Sequence, residues 1–198
     1  MTDPLPQRLA TWILERVGAT LWGFEPRLMR FIVRRLGAVG ALVWFVRNMP
    51  GYERTLKALG PIPTHLLALE ISIFNGCPYC IHGHALAFEL HYLREHGRLF
   101  PIDEAGFIDL AGAEPAALRA RLAEALDAAG LGGELARYDA VRAAWEGEAA
   151  EPPLAHLVQM FAVLNACGIA DRVEPDEAHD PVNKDKALLS RYRALRAG

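Results

Sequence analysis

Glu70, Cys77, Cys80 and His84 fall within fifteen residues of one another, in the stretch Glu70-Ile-Ser-Ile-Phe-Asn-Gly-Cys77-Pro-Tyr-Cys80-Ile-His-Gly-His84. Two thiols separated by two residues can close a small disulfide ring, and an imidazole and a carboxylate nearby supply groups that move protons. These are the parts of a redox-active thiol site. On a helix, residues four apart share a face, so His84 lies over Cys80 and gives it a base. Cys77 falls at the start of that helix, where free backbone amides and the positive end of the helix dipole stabilise a thiolate; Cys80 shares the effect to a lesser degree. Both thiols are therefore reactive candidates, and local physics alone does not say which attacks first. Glu70 is flanked by Leu67, Leu69, Ile71 and Ile73, so it either occupies a narrow polar stripe or is buried for a purpose.

Other uses of the same residues are weaker. Haem attachment needs a histidine directly after the second cysteine, and Ile81 stands there. Cys-Pro-Tyr-Cys is also the tetrapeptide of glutaredoxins, but those place it after an N-terminal strand of an α/β fold. Here about seventy residues of helical pattern precede it. A zinc site built from Cys77, Cys80, His82 and His84 has suitable ligand types, yet ligands so close along one helix do not surround an ion tetrahedrally. No metal or cofactor is expected. His65, His91, His96, His156 and His179 show no partners at ligand or triad spacing, and Cys167, at the end of an apolar helix, reads as a small buried residue. Ser72 and Ser190 lack a nucleophile-elbow context, and no Gly-rich phosphate loop occurs.

The elements that must position this segment read as helices. Leu9, Ile13, Val17 and Leu21 repeat every fourth residue over 5–22, and a second helical stretch covers Pro26 to Arg47 with interruptions near Gly37 and Gly40. Met49-Pro50-Gly51 is expected to end it, Tyr52 to Leu59 to form a short helix, and Gly60-Pro61-Ile62-Pro63 to act as a rigid connector that delivers Thr64 as an N-cap. The apolar helix from Thr64 ends at Asn75-Gly76, a pair suited to a left-handed cap. Cys77 then takes an N-cap position with Pro78 in the first turn, and the pattern runs to about Gly97. Helices follow over 115–129, 134–147 and 153–167. A polar segment from Asp171 to Pro181 leads to a basic helix from Lys184 to Arg196. No stretch shows strand alternation. The expectation is an all-α, bundle-like single domain spanning residues 1–198, with residues 1–50 a helical N-terminal extension.

Composition agrees with one globular domain: 198 residues, 52% hydrophobic, net charge −3 and three cysteines. An odd cysteine count does not complete a structural disulfide framework, and the first twenty residues lack a secretory apolar core, which points to a reducing, cytoplasmic setting. Residues 1–57 carry nine Arg/Lys against four Asp/Glu, and residues 103–151 carry four Arg against eleven Asp/Glu. The N-terminal arginines are dispersed through apolar helix without a basic run, so a solvated helix face, and no nucleic-acid partner, is the reading. Leu36 to Val46 is eleven residues of apolar sequence, short of the roughly 20 needed to span a bilayer. It reads as a buried or subunit-interface helix, and membrane contact is not expected.

The order Glu70-x6-Cys77-x2-Cys80-x3-His84, with Asn75-Gly76 before the first cysteine, resembles the alkylhydroperoxidase D-like (AhpD-like) branch of the carboxymuconolactone decarboxylase family. His156 to Asn165, followed by Gly168 to Val173, is similar to a later helix of that family. The resemblance covers residues 50–100 and 153–175 and implies an all-α fold, homo-oligomers, and a peroxidase or disulfide-reductase cycle without a cofactor. It implies that Cys80 attacks a small hydroperoxide, that His84 activates it with Glu70 holding or relaying the proton, and that Cys77 resolves the sulfenic acid to a Cys77–Cys80 disulfide. An external dithiol or reductase protein would restore the thiols. On that path Cys80 should titrate below the ordinary cysteine value of about 8.5. Tyr79 stands where some relatives carry a histidine, and His82 lies off the Cys80 face. The rivals are the decarboxylase branch of the same family, which does not need the thiol pair, and a non-catalytic helical oligomer.

Overall fold

Local sequence signals set most of the helix ends. The computed structural model describes residues 3–175 and 185–198. Among the described residues there are ten α-helices, one 3-10 turn at Gly132–Glu134 and no strand, so the all-α expectation holds. The helices are α1 (Leu5–Trp22), α2 (Leu28–Leu36), α3 (Ala38–Leu59), α4 (Pro61–Asn75), α5 (Pro78–His96), α6 (Glu104–Leu110), α7 (Pro115–Ala129), α8 (Leu135–Trp145), α9 (Pro152–Ala170) and α10 (Lys186–Ala197). His179, residues 176–181 of the polar segment and Lys184 lie outside the described residues.

Three elements differ from the sequence reading. Met49-Pro50-Gly51 does not end a helix; α3 runs through it to Leu59. Pro50 and Val46 both face outward, where water can serve the carbonyl that proline leaves without a donor. Gly51 is there for space: a Cβ on it would fall 2.5 Å from the His156 ring of α9. Thr64 is not a cap either, because α4 starts at Pro61, whose missing N–H costs nothing in a first turn. Thr64 Oγ1 instead donates to the Gly60 carbonyl one turn back, at 2.8 Å. Helix α6 had no expectation at all. Seven residues are too few for a periodic signal, and its N-cap Asp103, which accepts from Gly106 N at 2.8 Å, was the one local cue.

The α4–α5 hairpin is the axis of the molecule. Leu66, Leu69 and Ile73 of α4 pack with Ile81, Phe88 and Tyr92 of α5 against Phe100, Phe107, Leu122, Leu126 and Tyr138. Each such fully buried side chain stabilises the fold by about 1.5–3 kcal/mol. On another side Ala68 and Ile71 meet Leu157, Met160 and Phe161 of α9. Helix α9 is long and apolar enough by composition to cross a membrane, but here it packs against α2, α3, α4, α5 and α8. The N-terminal helices bring Met29, Ile32 and Phe45 onto Cys77, Tyr79 and Cys80. Leu36 to Val46 is covered on one face alone: Ala41 and Phe45 are buried, whereas Val39 and Val46 are each 75% exposed, and Leu5, Leu9 and Trp12 of α1 are exposed as well.

Helix α10 is held by a buried polar cluster. Tyr192 Oη lies 2.6 Å from Glu89 Oε2 and also meets Glu104, while Arg196 reaches Glu89 and donates to the Phe100 carbonyl at 3.0 Å. One phenol proton cannot serve two carboxylates, so a proton on Glu89 completes the network. Burial raises the Glu89 carboxyl to about 8, against the opposing pull of Tyr192 and Arg196. A carboxyl whose folded pKa is raised contributes stability that is complete below its unfolded value and is lost as pH climbs through the folded one. Hydrogen-exchange protection factors of the α10 amides should therefore fall progressively from about pH 4.5 to about 8 and level off above that. In Glu89→Gln they should stay flat; an equal fall in the variant would mean that Glu89 does not govern the docking.

Candidate functional site

The thiols are presented by a tight helix-to-helix turn. Gly76 has φ 71 and ψ 40, a left-handed conformation that glycine adopts without Cβ strain, and it lets Gly76 N donate to Ile73 O and Cys77 N to Ser72 O. Cys77 is the N-cap of α5 and Pro78 opens the first turn, as the sequence reading expected. Ser72 and Asn165 tie this turn to α9. Asn165 Nδ2 donates to Ser72 Oγ at 3.3 Å, and Ser72 Oγ donates to the Ala68 carbonyl at 2.7 Å, all of it buried.

Cys77 Sγ and Cys80 Sγ lie 2.8 Å apart, both as free thiols, against about 2.05 Å for a formed disulfide. The two differ sharply in acidity. The hydrogen bond from Cys80 lowers the Cys77 thiol, and the Cys80 and Tyr79 backbone amides at the helix start add to the effect. Cys80 is pushed well above the ordinary value, first by burial and then by holding its proton toward Cys77. The expectation that Cys80 titrates low is thus not what the geometry supports. Cys77 has the helix amides and takes the charge; Cys80 is surrounded by apolar side chains and keeps the proton. Gly168 of α9 closes the pair from behind, since a Cβ there would stand 2.7 Å from Cys77 Sγ. Cys167, next to it, is buried and its thiol is raised by that burial.

Access is divided as well. A cavity of about 470 Å³ has Cys80, His84, His65 and His91 on its wall, whereas Cys77 is fully enclosed and does not line it. Trp22, Phe24, Phe45 and Met49 supply another wall. The N-terminal extension is therefore part of the site. His84 lies one turn from Cys80 and sits edge-on to Phe161, with ring centroids 4.8 Å apart. Its Nδ1 is 3.3 Å from His65 Nδ1, and His65 stacks on His91 at 5.5 Å. Burial holds His65 well below the usual histidine value, and His91 down to about 4.

His65 and His91 were passed over in the sequence as histidines without partners. The usable signal was the hairpin: a two-residue link folds α5 back along α4, so residues at similar distances from the turn, such as His65 and His84, meet. Glu70 is not brought to the thiols. It is buried on α4 with no hydrogen-bond partner for either oxygen, and the charges near it are Glu134 and Asp139, at the other side of the hairpin. Burial, and then those like charges, raise its carboxyl well above the usual range. His82 does not line the cavity. Among the described residues no group of three or more His, Cys, Asp or Glu side chains is placed to hold a metal ion. No family model, curated protein or solved structure matches the chain.

Two outcomes follow from these positions. Glu70→Gln should leave thiol alkylation rates at the wild-type value. It should also raise the melting temperature more at pH 8 than at pH 5, because stability tied to a raised carboxyl pKa is lost as pH rises. Slower alkylation in this variant would return Glu70 to the proton path. Gly168→Ala should destabilise the fold by about 1–3 kcal/mol through overpacking and slow closure of the Cys77–Cys80 bond, read by denaturant melts and by disulfide mapping. A variant with wild-type stability and closure would show that α9 does not press on the pair.

Proposed function

We propose that the chain is a thiol peroxidase or disulfide oxidoreductase that cycles between the Cys77/Cys80 dithiol and its disulfide. The observation that carries this reading is the 2.8 Å thiol pair with one member, Cys80, on the wall of an apolar cavity. Of the two thiols Cys77 is the more readily ionised. Moving the shared proton to Cys77, or giving it to His84, makes Cys80 the thiolate that faces the cavity.

Cys80 thiolate attacks the outer oxygen of a small hydroperoxide, the O–O bond breaks, and the alkoxide leaves as the alcohol after taking a proton. Cys80 becomes a sulfenic acid. Cys77 then attacks that sulfur, a Cys77–Cys80 bond forms and water leaves. An external dithiol, free or carried by a reductase protein, reduces the bond by exchange and is itself oxidised to a disulfide. A reducing, cytoplasmic setting suits such a cycle. The exposed apolar residues of α1 and α3 support assembly into a homo-oligomer, the state the resemblance to AhpD-like proteins implies.

One equivalent of hydroperoxide should lower the free thiols from three per chain to one, with Cys77 joined to Cys80 and Cys167 left free. Cys77→Ser should stop after one oxidation, with the sulfenic acid trapped on Cys80. Cys167 in the principal disulfide, or oxidation no faster than that of free cysteine, would contradict the proposal.

A further inference from the structure

Two ring nitrogens at 3.3 Å share a single proton. With His65 Nδ1 facing His84 Nδ1, one ring carries hydrogen on that nitrogen and the other presents a lone pair. His65 is 5% exposed, stacked on His91, and its burial, reinforced by His84 and His91 beside it, disfavours a charge on it. It stays neutral and can offer an acceptor.

We propose that His65 is a positioning residue for the thiol chemistry: its Nδ1 accepts a hydrogen bond from His84 Nδ1–H and so keeps Nε2 as the basic nitrogen of His84. The role in thiol chemistry rests on the reading above; the tautomer does not. Only this direction survives proton transfer. When His84 takes a proton from Cys80 it carries hydrogen on both nitrogens, and an acceptor on His65 still pairs with it. In the reverse arrangement two N–H groups would then point at each other. A neutral imidazole suits this wall better than a carboxylate would, because an ion there would lose its hydration without a counter-charge. The edge of Phe161 against His84 and the stacked His91 hold the two planes. Since His65 resists protonation, it orients His84 and does not pass the proton on.

The test uses reduced full-length protein with 15N-labelled histidine. Long-range proton–nitrogen correlation should find His84 protonated at Nδ1. His65→Phe keeps an aromatic ring but removes the acceptor. It should shift His84 toward the Nε2–H form and slow alkylation of Cys80 by a neutral reagent about tenfold, the lower end of what loss of an orienting partner costs. His65→Asn places an amide oxygen near the lost Nδ1 and should restore both readings; if the phenylalanine variant does not fold, this variant decides. His84 protonated at Nε2 in the wild type, or an unchanged tautomer and rate in His65→Phe, overturns the proposal. So does an Nε2–H His84 in a folded His65→Asn. Protein inert to hydroperoxide whose His84 tautomer and Cys80 alkylation both respond to His65 would sink the peroxidase reading alone.

Discussion

The thiol–thiol contact at the start of α5 is the interaction on which the rest depends. Two sulfurs 2.8 Å apart in a buried site cannot both ionise, because like charges at that range in a poorly solvated setting repel too strongly. At least one proton therefore stays on the pair, and the surroundings decide which thiol ionises first. Helix amides draw the charge to Cys77, and apolar burial keeps the proton on Cys80. Holding the pair this close requires support from three directions. The left-handed Gly76 sets the turn, the Ser72–Asn165 hydrogen bonds fasten α4 to α9, and the bare backbone of Gly168 fills the space behind Cys77.

Acidity and access thus fall on different cysteines. The more acidic sulfur is enclosed, and the accessible one is protonated at rest. Reaction at Cys80 needs a place for its proton: Cys77 lies across the short contact, and His84 lines the same cavity. The histidine pair of α4 and α5 lies in an apolar wall closed by Trp22 and Phe24. Trp22 ends α1 and Phe24 lies in the loop that follows it, so the extension is structural to the cavity. The carboxylate that the sequence offered as a relay, Glu70, faces α8 instead.

What the sequence made legible was what local chemistry determines. Asn75-Gly76, Cys77 as a cap and Pro78 in the first turn are short-range signals, and they placed the thiol pair on the correct helix end. Pro50 and Gly51 misled because a proline on an exposed face does not stop a helix, and because Gly51 answers to His156, over a hundred residues away. Glu70 misled because apolar neighbours on both sides in sequence do not reveal which face of α4 meets α5. His65 was illegible for the same reason in reverse: its partner is nineteen residues on, across a turn. The resemblance that suggested residue roles rests on the thiol motif and the later helix from His156, and no family model matches the chain.

Thiolate absorbance in the ultraviolet, followed across pH on the reduced protein, tests the shared-proton account most directly. One thiolate per chain should form below the ordinary cysteine value of about 8.5, disappear in Cys77→Ala, and be followed by a second ionisation only at far higher pH. A wild-type protein that shows no thiolate until the ordinary range, or one whose low-pH thiolate survives removal of Cys77, would contradict it.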